Sequence, residues 1–171
     1  MQSQIDNYLI FYIIIIRIIE LFLSHKNTKN LLSSGGIEYH SAHYKYIVMF
    51  HFVFVLYFLK YSLTFEDINT NLLYFFLFVQ LCRFKVIYDL GKYWTTRIIV
   101  VENDPLVRNG FYKFIKHPNY IIVLIEIILV CLIFRHYYAL IYFTIIKIVL
   151  LFIRINCEDE ANSNRRRKFP N

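Results

Sequence analysis

Five apolar runs, at residues 8–23, 46–63, 72–87, 120–134 and 137–153, constrain what this chain can fold into more than any other feature. A helix crossing a hydrocarbon layer of about 30 Å needs roughly 20 apolar residues. Several of the runs are shorter, and tilt, local bilayer thinning and interfacial tyrosines accommodate the difference. With 58% of its 171 residues apolar, the chain exceeds the roughly 45–50% usual in soluble domains. An all-α integral membrane protein with about five transmembrane helices is expected. The first run follows Met-Gln-Ser-Gln, with neither a basic segment nor a small-residue cleavage site, so a retained span is expected.

Composition also removes function classes. Four glycines leave no G-x-G-x-x-G and no Walker loop, which excludes a Rossmann or P-loop nucleotide site. The net charge of +7 is compatible with nucleic acid. On so apolar a chain, however, Lys and Arg mark juxtamembrane segments facing lipid headgroups, and no nucleic-acid partner is expected. Cys82, Cys131 and Cys157 form no C-x-x-C, and the histidines form no H-E-x-x-H, so neither a disulfide framework nor a metal is expected.

The basic residues set orientation. With the N-terminus outside, the inside segments 24–45, 83–118 and 154–171 hold 3, 7 and 5 Lys plus Arg. Outside lie only Lys60 and Arg135, while Arg17 and Lys147 fall within runs. That bias predicts a multi-pass protein with its N-terminus outside and its C-terminus cytoplasmic.

Only Arg135-His136 separates the last two runs, which predicts a tight helical hairpin. Glu126 and Lys147 then reach similar depth and are expected to pair. Arg17 and Glu20, three residues apart, are expected to pair along one helix face. The one long polar stretch, 83–119, contains Trp94, Pro105, Gly110 and Pro118 and is long enough to be functional.

Two constellations could carry chemistry. In Lys116-His117-Pro118-Asn119-Tyr120, Pro118 suits the first helical position, leaving a helix N-terminus able to receive an anion beside His117. In Arg154-Ile155-Asn156-Cys157-Glu158, Arg154 and Glu158 are four apart and share a helix face. The hairpin makes these two segments neighbours, and 104–112 can cover them. A polar pocket on the cytoplasmic face, open to lipid and suited to an amphiphile with an anionic part, is expected. Arg165-Arg166-Arg167-Lys168 reads as a headgroup anchor.

The residues Leu90-Gly91-Lys92-Tyr93-Trp94-Thr95-Thr96-Arg97, Pro105-Leu106-Val107-Arg108-Asn109-Gly110-Phe111-Tyr112, His117-Pro118-Asn119-Tyr120 and Arg154-Ile155-Asn156-Cys157-Glu158 occur in an order that resembles the isoprenylcysteine carboxyl methyltransferase family, in its short bacterial-type branch. The resemblance covers about 90–161. It implies one membrane domain over 1–171, with N-terminal spans in 1–89, a methyltransferase-like core in 90–161 and a basic tail in 162–171. It further implies S-adenosylmethionine as cofactor, lined by Leu106, Val107, Tyr112, His117, Pro118, Asn119, Tyr120 and Glu158. Arg154 would bind the acceptor, and Arg154 and Glu158 would be the catalytic pair. The acceptor implied is a lipophilic or prenylated carboxylate in the membrane. Lys116, Asp104, Arg97 and Asp159 depart from the family's usual Arg, His, Gln and Glu. O-methylation of a lipophilic hydroxyl compound such as an alkylpyrone, phospholipid N-methylation and a non-catalytic membrane role remain the alternatives.

Overall fold

A computed structural model describes residues 2–62, 69–102 and 104–168. Met1, the Leu63 end of the second apolar run and the last three residues of the tail lie outside them. The chain is mostly helical: α1 (Gln2–Ser33), α2 (Ser41–Ser62), α3 (Thr70–Leu90), α4 (Pro118–Ile133), α5 (Tyr137–Ala161) and α6 (Ser163–Lys168). Two short strands, β1 (Ile37–Tyr39) and β2 (Ile98–Val100), pair antiparallel with Glu38 opposite Ile99. Four of the helices are long and apolar enough to cross a membrane. The fourth apolar run forms α4, which has only 16 residues, or about 24 Å.

The helices begin and end where local chemistry directs. Asn69 caps α3, its side chain accepting from the Leu72 N–H, while its own N–H donates to the Ile133 carbonyl 3.2 Å away. That bond ties the start of α3 to the end of α4. Gly91 ends α3 at φ +52°, a conformation that costs other residues more. Pro118 occupies the first turn of α4, where a missing N–H removes nothing from the helix. Beyond Ile133, the His136 N–H reaches back to the Cys131 carbonyl at 2.9 Å, and Arg135 takes φ +55°. This six-to-one closure is the Schellman pattern, with arginine where glycine is usual. Residues 134–136 thereby turn the chain from α4 into α5, and the two helices pack along their length.

Packing inverts the pattern of a soluble protein. Large apolar side chains such as Phe22, Phe52, Tyr138 and Phe152 face outward, as a lipid-bathed surface requires. Inside, Phe54, Phe58, Phe134 and Phe143 form an aromatic cluster near the 134–136 turn, where the Tyr57 hydroxyl lies 3.0 Å from His136 Nδ1. Deeper in the bundle, four charges gather. Arg17 donates to Glu20 at 2.7 Å and to Glu126 at 2.6 Å. Arg83 bonds both carboxylates as well, and Gln80 donates to Glu126 at 2.7 Å. The expected Arg17–Glu20 pair therefore forms within a larger, balanced network joining α1, α3 and α4.

The expected Glu126–Lys147 pair does not form. Glu126 is engaged by Arg17, Arg83 and Gln80, and Lys147 instead lies 3.1 Å from His51 Nε2 on α2. Equal depth along two helices did not mean facing sides.

The length of α1 positions the site. At 32 residues it spans about 48 Å and projects past the other helices. Its last turns grip the loop after α3: Asn27 donates to the Trp94 carbonyl at 2.8 Å and the Gly91 carbonyl at 3.1 Å. The Thr96 N–H donates to Ser24 Oγ at 2.9 Å. The β1–β2 pair adds a second clasp, reinforced by Arg97 donating to Glu38 at 3.0 Å.

Candidate active site

The Tyr120 hydroxyl is the hub of the polar end of the bundle. It donates to Glu158 Oε2 and accepts from Arg154 Nε at 2.8 Å. Tyr120 sits in the first turn of α4, and Arg154 and Glu158 stand one turn apart on α5, so the antiparallel packing brings all three together. The His117 ring stacks on Tyr120 at 5.3 Å with an interplanar angle of 11°. Its Nδ1 is 3.9 Å from Glu158, and its Nε2 is 3.4 Å from Asp159 Oδ1. Lys116 reaches Asp159 Oδ2 at 2.5 Å. Arg154 is 8% exposed and also donates to the Thr96 carbonyl at 2.6 Å.

Two cavities meet at this hub. One, of about 130 Å³, opens toward the polar end and is lined by Leu106, Val107, Tyr112, His117, Asn119, Tyr120, Arg154 and Glu158, among others. The second, of about 280 Å³, runs into the bundle between α1, α2 and α5 with mostly apolar walls. Trp94, Thr95, Asn119, Tyr120 and Arg154 belong to both. Of the cofactor and acceptor residues implied by the resemblance, only Pro118 lies outside the smaller cavity's wall; it is buried in the first turn of α4.

The segment 104–112 forms the outer wall of the smaller cavity, and three contacts hold it. Arg165 on α6 donates to the Asp104 carbonyl at 2.8 and 2.9 Å and to the Pro105 carbonyl at 3.1 Å. The Tyr93 hydroxyl donates to Asp104 Oδ2 at 2.6 Å, and this bond, with help from Lys92, holds the Asp104 carboxyl below the usual range. Gly110, at φ +56°, lies so close to Asp89 that a Cβ there would come within 1.9 Å of Oδ2. Burial, followed by the Glu158 carboxylate, raises the Tyr112 hydroxyl far above its ordinary value, so it remains a neutral phenol.

Arg165 corrects one expectation: it is 7% exposed and lines the smaller cavity instead of projecting to headgroups. Four consecutive basic residues read alike in sequence, and only the turn at Asn162, whose side chain accepts from Arg165 at 2.9 Å, singles one out. Trp94 and Thr95, which no spacing in the sequence marks as site residues, stand at the junction of the cavities. The lining carries both a carboxylate and a guanidinium, and among the described residues no group of three His, Cys, Asp or Glu could hold a metal.

The sequence comparisons agree with this architecture. The family model for isoprenylcysteine carboxyl methyltransferases matches residues 72–163, which include most of α3, all of α4 and α5, and every residue lining the polar cavity but Arg165. An uncharacterized protein of Bacillus subtilis, YpbQ, is 36% identical over 90% of this chain and 94% of its own length. An uncharacterized protein of Haemophilus influenzae is 28% identical over 89% of this chain and 91% of its own. No solved structure matches. A matching family model over more than half the chain, with a relative this similar over nearly its whole length, identifies the chain as a member of the isoprenylcysteine carboxyl methyltransferase family.

Proposed function

We propose that the protein is an S-adenosylmethionine-dependent O-methyltransferase of the membrane that methylates a carboxylate on a lipophilic acceptor. The junction of a polar and an apolar cavity at Tyr120 and Arg154 carries this reading. A donor from water and an acceptor dissolved in lipid need separate approaches to one point. Family membership supplies the reaction class.

The residues present suit the cofactor. Glu158, in the wall of the polar cavity, offers the carboxylate that the ammonium of the cofactor's amino-acid group requires. Trp94 Nε1 and Asn119 Oδ1 are buried and make no hydrogen bond among the described residues, so a donor and an acceptor stand ready for a ligand. Leu106 and Val107 provide apolar surface for a flat base, and the neutral Tyr112 phenol can donate or accept. Bound there, S-adenosylmethionine would supply an electrophilic methyl group.

The chain's own work is to bind, orient and exclude water. A carboxylate is ionised near neutral pH and needs no base. Arg154, whose Nε is held by Tyr120, keeps terminal N–H groups to orient the acceptor oxygen. Holding that oxygen about 3–3.5 Å from the methyl carbon replaces an improbable encounter with a prearranged one. The Tyr120–Glu158 bond favours a second reading, a hydroxyl acceptor such as an alkylpyrone, because Tyr120 lines both cavities and its hydroxyl would relay the acceptor's proton to Glu158 as base.

The polar end carries Lys92, Lys116 and Arg165, which supports its placement on the cytoplasmic side with the N-terminus outside. Calorimetry in detergent tests the reading: S-adenosylmethionine is expected to bind the folded protein with one site, and absence of binding contradicts it.

A further inference from the structure

Among the described residues of the five long helices, every buried basic side chain but one is linked to a carboxylate, directly or through a hydroxyl. Arg17 and Arg83 are balanced by Glu20 and Glu126. Arg154 is linked through Tyr120 to Glu158. Lys147, halfway along α5 and 2% exposed, has no carboxylate within ion-pair distance among the described residues. Its Nζ lies 3.1 Å from His51 Nε2 and 5.3 Å from the centroid of the Phe50 ring. One imidazole nitrogen and an aromatic face are less than three N–H groups require when they are withdrawn from water.

Lys147 and His51 also line the larger cavity, on the walls supplied by α5 and α2. Lys147 and Arg154 are seven residues apart, which puts them two turns, or about 10 Å, apart on one side of α5. Leu150 and Leu151 line the same cavity between them. The acceptor cavity is thus a mostly apolar trough, with the internally paired Arg17, Glu20 and Arg83 in its wall and the basic side chains Lys147 and Arg154 two turns apart along α5.

We propose that Lys147 and His51 form a second polar subsite in this cavity, which takes an anionic oxygen carried by the acceptor about 10 Å from the group held at Arg154. This rests on the reading of the larger cavity as the acceptor site, and it narrows that reading. An acceptor whose tail is hydrocarbon throughout would cover Lys147 and leave its remaining N–H groups without a partner, and such an acceptor is disfavoured.

Trp94 is the only tryptophan in the chain, and it lines the cavity, so its fluorescence reports occupancy without any methyl transfer. The full-length protein in an uncharged detergent would be titrated with straight-chain α,ω-dicarboxylates whose lengths run from well below to well above about 10 Å, and with monocarboxylates of equal length. The dicarboxylate near 10 Å is expected to bind about tenfold tighter than its monocarboxylate, a gain of about 1.4 kcal/mol. Lys147→Met should abolish that gain and leave monocarboxylate affinity within about threefold. If the Met variant does not purify folded, Lys147→Gln gives the same comparison. Absence of a length optimum, or an optimum that survives in the variant, overturns the subsite. Methyl transfer without a length optimum would defeat the subsite and leave the methyltransferase reading standing. A length optimum in a protein that binds no S-adenosylmethionine would do the reverse.

Discussion

At the scale of single residues, Arg154 and Tyr120 are bound to each other yet should fail differently. Arg154→Ala removes the group facing the acceptor, and turnover should fall about 10²–10³-fold, the usual cost of losing one preorganised donor. The dissociation constant for S-adenosylmethionine should stay within about threefold, as read by calorimetry. Tyr120→Phe removes the hydroxyl that separates Arg154 from Glu158, leaving a buried N–H and a carboxylate without their partner. Loss of two charge-assisted bonds should impair both cofactor affinity and turnover, each by roughly tenfold or more. Asp104 gives a pH signature. Its carboxyl is held low by the Tyr93 hydroxyl, so its contribution is present above the ordinary carboxylate range near 3.9 and is lost as pH falls through the lowered folded value. Thermal melts of the wild type and Asp104→Asn should therefore differ at pH 7 and converge as the solution is made strongly acidic.

At the scale of elements, the wall formed by 104–112 depends on fit more than on burial. Gly110→Ala forces a Cβ into Asp89 at a positive φ, and the wall must shift. The variant should lose about 1–2 kcal/mol of stability and bind S-adenosylmethionine more weakly, measurable by thermal melts and calorimetry. The helical elements and the His117 and Arg154 segments were legible in sequence because each leaves a local mark: an apolar run, a proline at a helix start, a four-residue charge spacing. The β1–β2 clasp left none, since three-residue strands such as Ile37–Tyr39 are shorter than any alternation that could reveal them. The reach of α1 to Ser33 was hidden for a related reason. Its apolar run ends near Leu23, and the polar turns that follow are helical because Ser24 and Asn27 bond the loop after α3.

At the scale of the whole molecule, a balanced charge network of Arg17, Glu20, Arg83 and Glu126 joins α1, α3 and α4, its first three members in the wall of the larger cavity. Sequence spacing located Glu126 by depth but not by direction around its helix, which is why Lys147 was its expected partner. Arg83 lies within the third apolar run, and α3 turns it inward to the Glu20 and Glu126 carboxylates. Glu126→Gln leaves two guanidiniums sharing one carboxylate and should cost about 3–5 kcal/mol, seen in detergent unfolding. The double variant with Arg17→Met should lose less than the two single losses combined, since the sites are in contact.

The most direct test of the central claim follows the methyl group itself. The purified protein, supplied with isotopically labelled S-adenosylmethionine and extracted membrane lipids or prenyl-cysteine analogues, would be analysed by mass spectrometry. Label is expected in an O-methyl group on a lipophilic acceptor, base-labile where that acceptor is a carboxylate, and absent with Arg154→Ala. Label confined to phosphatidylethanolamine derivatives, or no transfer by folded protein to any of these acceptors, would contradict the account.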